Sequence, residues 1–85
     1  NEDELANQNV KVYPTIVSDG LNVETSLNNS QMKVRIYDMN GKVIISENMA
    51  SSLHTVDVTA LSAGSYIIII QDPFNLIARY RFIKQ

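Results

Sequence analysis

Apolar and polar residues alternate with a period of two along much of this chain, and no other sequence feature constrains its fold as strongly. The alternation is clearest over residues 32–37, which read Met-Lys-Val-Arg-Ile-Tyr. Side chains two positions apart lie on the same face of a β-strand, so such a segment buries one face and exposes the other. No stretch carries helical spacing over a comparable length. The pattern therefore predicts an all-β protein.

A turn signal follows the clearest strand. Residues 38–41 read Asp-Met-Asn-Gly, and a second strand-like run, Lys-Val-Ile-Ile at residues 42–45, comes directly after them. An Asn-Gly pair between two strand-like runs predicts a hairpin, because a tight turn needs positive φ, which these residues tolerate at low cost. Asp38 and Asn40 also have the spacing that opens a calcium loop, but the later ligands and the bidentate Glu are missing. We therefore interpret this segment as a turn.

Seven short segments have the character of strands. They are residues 10–16, 21–23, 32–37, 42–45, 53–58, 67–70 and 76–84. Pro14 lies inside the first, so that strand is expected at a sheet edge or broken at the proline. Residues 67–70 are all isoleucine, which indicates a strand buried on both faces or central in its sheet. Seven short strands predict a seven-stranded, immunoglobulin-like antiparallel β-sandwich, with a small barrel as the alternative architecture.

The chain has 85 residues, which suits a single domain. Residues 1–9 are polar and carry little apolar pattern, so we interpret them as a linker and residues 10–85 as the domain. The first residues do not resemble a signal peptide, so the segment has either been cut from a longer precursor or belongs to a cytoplasmic protein. The apolar runs are too short to span a bilayer, and we expect no membrane insertion.

Few residues could support catalysis. There is no cysteine and one histidine, His54. Asp57 could complete a Ser-His-Asp arrangement with it, but side chains three apart on a strand point to opposite faces. We therefore expect a solvated surface histidine and no enzyme activity, no metal and no cofactor. The three glycines are isolated, so no phosphate cradle is expected. The net charge of −2 argues against nucleic-acid binding.

Four short motifs occur in a fixed order along the chain. They are Val12-Tyr13-Pro14, then Ile36-Tyr37-Asp38-Met39-Asn40-Gly41-Lys42, then Leu61-Ser62-Ala63-Gly64-Ser65-Tyr66, and finally Arg81-Phe82-Ile83-Lys84-Gln85. Over residues 10–85 this order resembles the type A C-terminal sorting domain of the type IX (Por) secretion system. One departure is that Thr15 and Ile16 stand where that family has Asn and Pro.

The resemblance implies a secretion signal. Such a domain directs an upstream cargo in the same precursor through the outer-membrane translocon, after export of the precursor to the periplasm. The implied partners are the translocon, an outer-membrane shuttle protein and a surface sortase. The sortase commonly removes the domain and attaches the cargo to anionic lipopolysaccharide, so the cargo ends at the cell surface or is secreted. The cleaved bond would lie within residues 1–9.

Most of the motif residues are explained by folding. Those assigned mainly to structure are Tyr13, Pro14, Asn40, Gly41, Leu61, Gly64 and Tyr66. The segment from Gly64 to Tyr66 resembles a tyrosine corner, in which a Tyr at the start of a strand bonds back to the preceding backbone.

The last strand is the candidate recognition element. Alternation places Ala78, Tyr80 and Phe82 on one face, and Arg79, Arg81 and Ile83 on the other. A basic terminal strand can be recognised by a partner through a free edge, although such charges also protect an edge from aggregation. The residues that we assign to recognition by the translocon are Arg81, Phe82, Ile83 and Lys84.

Two other functions fit a small sandwich. A carbohydrate-binding or adhesive module would display aromatic side chains on one face. A structural spacer would only stabilise its neighbour. Fold alone does not choose among these functions, because sandwiches serve many of them.

Overall fold

A computed structural model of the protein describes residues 9–26, 32–49, 51–74 and 76–85. Within these ranges the chain forms eight strands and no helix, which confirms the all-β prediction. The strands are β1 (Val10–Tyr13), β2 (Ile16–Val17), β3 (Gly20–Thr25), β4 (Lys33–Tyr37), β5 (Val43–Asn48), β6 (Leu53–Asp57), β7 (Gly64–Gln71) and β8 (Leu76–Lys84). No segment described here is a helix long and apolar enough to cross a membrane. Except for Asn9, the predicted linker lies outside the described residues.

The strands form two sheets. One has three strands in the order β1-β3-β6, and the other has five in the order β2-β8-β7-β4-β5. All pairs are antiparallel except β2 and β8, which run parallel.

The number of strands differs from the prediction of seven, because the first predicted strand is two strands. Pro14 separates β1, which pairs with β3, from β2, which pairs with β8 in the other sheet. A proline has no N–H to donate to a ladder, so it suits a point where the backbone leaves one sheet for the other.

One hydrophobic core lies between the sheets. Leu21 and Val23 of β3 and Val56 of β6 enter it from the three-stranded sheet, and all are fully buried. Ile68 and Ile70 of β7 enter it from the five-stranded sheet. The central position of β7, between β8 and β4, agrees with its run of isoleucines. The outward side chains of this run, at positions 67 and 69, are half-buried.

Among the described residues, hydrogen bonds join the two sheets on both sides of the core. The Tyr80 hydroxyl donates to the Val10 carbonyl at 2.8 Å. On the opposite side, His54 Nε2 lies 2.8 Å from Glu47 Oε1.

The histidine corrects a prediction. The His54 side chain is only 14% exposed, so it is not a solvated surface residue. It lies opposite Val23 in the β3–β6 ladder and therefore faces inward. Asp57 is exposed, three positions further along the same strand, and so lies on the other face, as the alternation predicts.

Candidate functional site

The β4–β5 hairpin turn is held by a carboxylate. Asp38 Oδ1 accepts hydrogen bonds from the backbone N–H groups of Asn40 at 2.9 Å and Lys42 at 3.0 Å. Gly41 has a φ of 87°, the left-handed region that favours glycine. The predicted hairpin is confirmed, and Asp38 is a turn residue. Among the described residues, no cluster of His, Cys, Asp or Glu side chains could hold a metal ion.

Tyr66 forms the predicted tyrosine corner. Its hydroxyl donates to the Ser62 carbonyl at 2.6 Å, four residues earlier. Its ring stacks on Phe82, with centroids 5.6 Å apart and 22° between the ring planes. Leu61 lies beside it against the core, and Gly64 begins β7. This motif therefore fixes the start of β7 and packs it onto the last strand.

Tyr13 occupies a more open position. Its hydroxyl donates to Glu24 Oε1 at 3.0 Å across the β1–β3 pair. This hydrogen bond raises the pKa of the Tyr13 phenol, with smaller contributions from desolvation and from the Glu24 charge. Pro14, its neighbour in the motif, marks the change of sheet.

The last strand alternates as predicted. Ala78 and Phe82 are fully buried, while Arg79 and Arg81 are half-buried on the outer face. Ile83 is 43% exposed on that outer face.

The four candidate recognition residues differ sharply in accessibility. Phe82 is fully buried, so a partner cannot contact its side chain in the folded domain. Lys84 is only 8% exposed, and its Nζ donates to the main-chain oxygen of Gln85 at 2.9 Å. Ile83 and Arg81 present their side chains on the outer face of the five-stranded sheet.

The predicted free edge of the last strand is wrong at its end. The Ile83 N–H donates to the Thr15 carbonyl at 2.7 Å, and the Gln85 N–H donates to the Val17 carbonyl at 2.9 Å. Strand β2 therefore covers the backbone edge of residues 83–85. Recognition at this end must use side chains, because the backbone groups on that edge are already bonded.

The chain matches a known protein family. The family described as secretion system C-terminal sorting domain matches residues 11–84, nearly the whole chain. The chain belongs to this family. The sorting domain is thus a C-terminal signal for type IX secretion, which implies a cargo in the same precursor and its export to the cell surface or the medium. This membership favours the sorting function over the carbohydrate-binding alternative. No curated protein matches the chain.

Proposed function

We propose that this is a type A sorting domain that takes its cargo from the periplasm through the type IX outer-membrane translocon. In this proposal a shuttle protein and a sortase act on the domain, and the sortase cuts within residues 1–9. The domain has no enzyme activity of its own, since any activity belongs to the cargo. The order of the four motifs along one chain supports this assignment.

The proposed fold is the immunoglobulin-like sandwich. If β1 and β2 are two halves of one strand interrupted at Pro14, the eight strands count as seven, and the interrupted strand contributes one half to each sheet. The tyrosine corner at the start of β7 is a hallmark of immunoglobulin-like domains. Both features support the proposed topology.

The proposed contact with the translocon lies at the end of β8. The four candidate residues there have two different roles. Ile83 and Arg81 contact the partner, while Phe82 and Lys84 hold them in place. The observation that carries this is the exposure of Ile83, at 43%, between two neighbours exposed by 0% and 8%. Of these three side chains, a partner that binds the folded strand can therefore contact that of Ile83.

The test uses a reporter fused to residues 1–85 in a cell with a working type IX system. Deleting residues 82–85 is a poor test, because it removes Phe82 from the core and is expected to destabilise the whole domain. We expect Ile83→Asp to leave the reporter in the periplasm while the purified domain keeps its unfolding midpoint. Leu53→Asp is the matched control, because Leu53 is 53% exposed on the other sheet.

Normal surface delivery of the Ile83→Asp reporter would exclude Ile83 as a contact. Sortase processing is checked separately, by sequencing the new terminus of the delivered cargo. A cut inside the folded strands, at or after Val10, would contradict the proposed linker site.

A further inference from the structure

Ladder register brings basic residues from two distant segments onto one surface. On the outer face of the five-stranded sheet, Arg81 of β8 lies opposite Ile67 of β7, which lies opposite Tyr37 of β4. In the next row, Arg79 lies opposite Ile69, which lies opposite Arg35. In the row beyond, Gln71 lies opposite Lys33. We call this surface, made by Lys33, Arg35, Tyr37, Ile67, Ile69, Arg79 and Arg81, the basic face.

The basic face carries charge of one sign. At the outward paired positions of β8, β7 and β4 that the structure describes, there are four cations and no carboxylate. The outer face of the other sheet is mixed, because Lys11 lies opposite Glu24 there and Asp57 is exposed. The two outer faces therefore offer different chemistry to a partner.

Apolar side chains form the centre of the basic face. Both isoleucines are half-buried: Ile69 lies between Arg79 and Arg35, and Ile67 lies between Arg81 and Tyr37. An apolar centre with a charged rim that is rich in Arg and Tyr is the composition of a protein–protein contact. Ile67 and Ile69 are half-buried and have longer side chains on both sides, so they offer little apolar surface for insertion into a bilayer. This geometry favours a protein partner over a lipid surface.

We propose that the basic face docks onto an acidic protein surface of the secretion machinery, through carboxylates that pair with its arginines. The guanidinium fork matches a carboxylate in a bidentate geometry, and three of the four cations are arginine. A second copy of this chain would bring like charges together, which disfavours it as the occupant. The inference rests on the proposed function, and the face is continuous with Ile83, which lies two positions beyond Arg81.

The test reverses charge on the β4 side of the face. We expect the double variant Lys33→Glu and Arg35→Glu to lower surface delivery of the reporter about tenfold, since like charges at a contact are repelled. The matched control is Lys11→Glu with Lys42→Glu, two reversals of the same sign at exposed positions outside the face. The control is expected to deliver normally. Circular dichroism and urea unfolding must show both variants folded.

Each remaining outcome decides the proposal. When the unmodified reporter reaches the surface, normal delivery of the reporter with the folded face variant overturns the proposal. If the unmodified reporter is not delivered, the sorting function itself fails. Sedimentation with vesicles containing phosphatidylglycerol or lipopolysaccharide tests the lipid alternative. If the unmodified chain sediments with either vesicle, the face variant does not and the control does, the occupant is lipid and the proposal is overturned.

Discussion

Tyr66 and Tyr13 each donate a hydroxyl hydrogen bond, but in different surroundings. Tyr66 is 7% exposed and Tyr13 is 39% exposed. Replacing Tyr66 by Phe keeps the stacking on Phe82 but leaves the Ser62 carbonyl without this donor. We expect the free energy of unfolding of the Tyr66→Phe domain to fall by about 1 kcal/mol, the usual net value of such a hydrogen bond. Tyr13→Phe, the matched change at an open site, should cost less than about 0.5 kcal/mol.

Urea unfolding of the three proteins measures both values. An equal loss in the two variants would show that burial does not decide the contribution of these hydroxyl groups.

Asp57 supplies a prediction about pH. Its Oδ1 accepts hydrogen bonds from the Thr59 hydroxyl at 2.7 Å and the Thr59 N–H at 3.0 Å. These bonds, the hydroxyl first, hold the pKa of Asp57 below its ordinary value of 3.8. The carboxylate therefore stabilises the fold above that value, and the contribution is lost as pH falls through the lower, folded-state pKa.

In Thr59→Ala the stronger bond is gone and the backbone bond remains. We expect the pKa of Asp57 to rise toward 3.8 without reaching it. An NMR titration of the Asp57 carboxyl carbon measures the change. An unchanged titration curve would mean that the Thr59 hydroxyl does not set this pKa.

Single-residue roles were predictable where they depend on local spacing. The Asn40-Gly41 turn and the Tyr66 corner each need only neighbours in sequence, and both were found. The role of His54 was not predictable, because its partner Glu47 lies on the edge strand of the other sheet. That contact exists only after the two sheets have packed.

At the scale of elements, strand β2 shows which features of the fold the local sequence pattern predicts and which it does not. Pro14 predicted that the first strand either lies at a sheet edge or breaks at the proline. Nothing in the pattern predicted that the two residues after the break would pair in parallel with the end of β8. This pairing joins segments from opposite ends of the chain, so it is set by tertiary packing and not by propensity.

Hydrogen exchange tests the role of β2. Val17 is 4% exposed and anchors this short strand to the core. We expect Val17→Ala to speed exchange of the Ile83 and Gln85 amides, which donate to the carbonyls of Thr15 and Val17, because local opening of β2 and the residue before it exposes them. The amides of Ile68 and Ile70 in the central strand β7 should keep their protection relative to global unfolding. Equal acceleration at all four amides would show that β2 opens only when the whole domain unfolds.

At the scale of the whole molecule, the alternation predicted well which side chains of β4 and β8 face the core. A period of two places every second side chain of a strand on the same face. The order of the motifs also predicted the family. The basic face was not predicted, because Lys33 and Arg35 lie far from Arg79 and Arg81 in sequence. They share a surface only through their common neighbour β7.

Because one core holds both sheets, we expect sorting to require the folded domain, and this separates two ways to lose delivery. Leu21 is fully buried in β3, away from the proposed contacts. Leu21→Ala should lower the free energy of unfolding by about 2–5 kcal/mol, a large part of what a domain of this size has. Surface delivery of its reporter should then fall with the folded fraction. It should recover when cells are grown at a lower temperature, closer to maximum stability.

Ile83→Asp should behave in the opposite way, with an unchanged unfolding midpoint and no recovery on cooling, because what it removes is the contact and not the fold. The two reporters are compared at two growth temperatures, alongside urea unfolding of both domains. Recovery of Ile83→Asp on cooling would show that Ile83 acts through stability. Full delivery of a reporter whose Leu21→Ala domain is unfolded would contradict the requirement for folding. It would show that the secretion machinery recognises the terminal residues in an extended chain and does not need the folded sandwich.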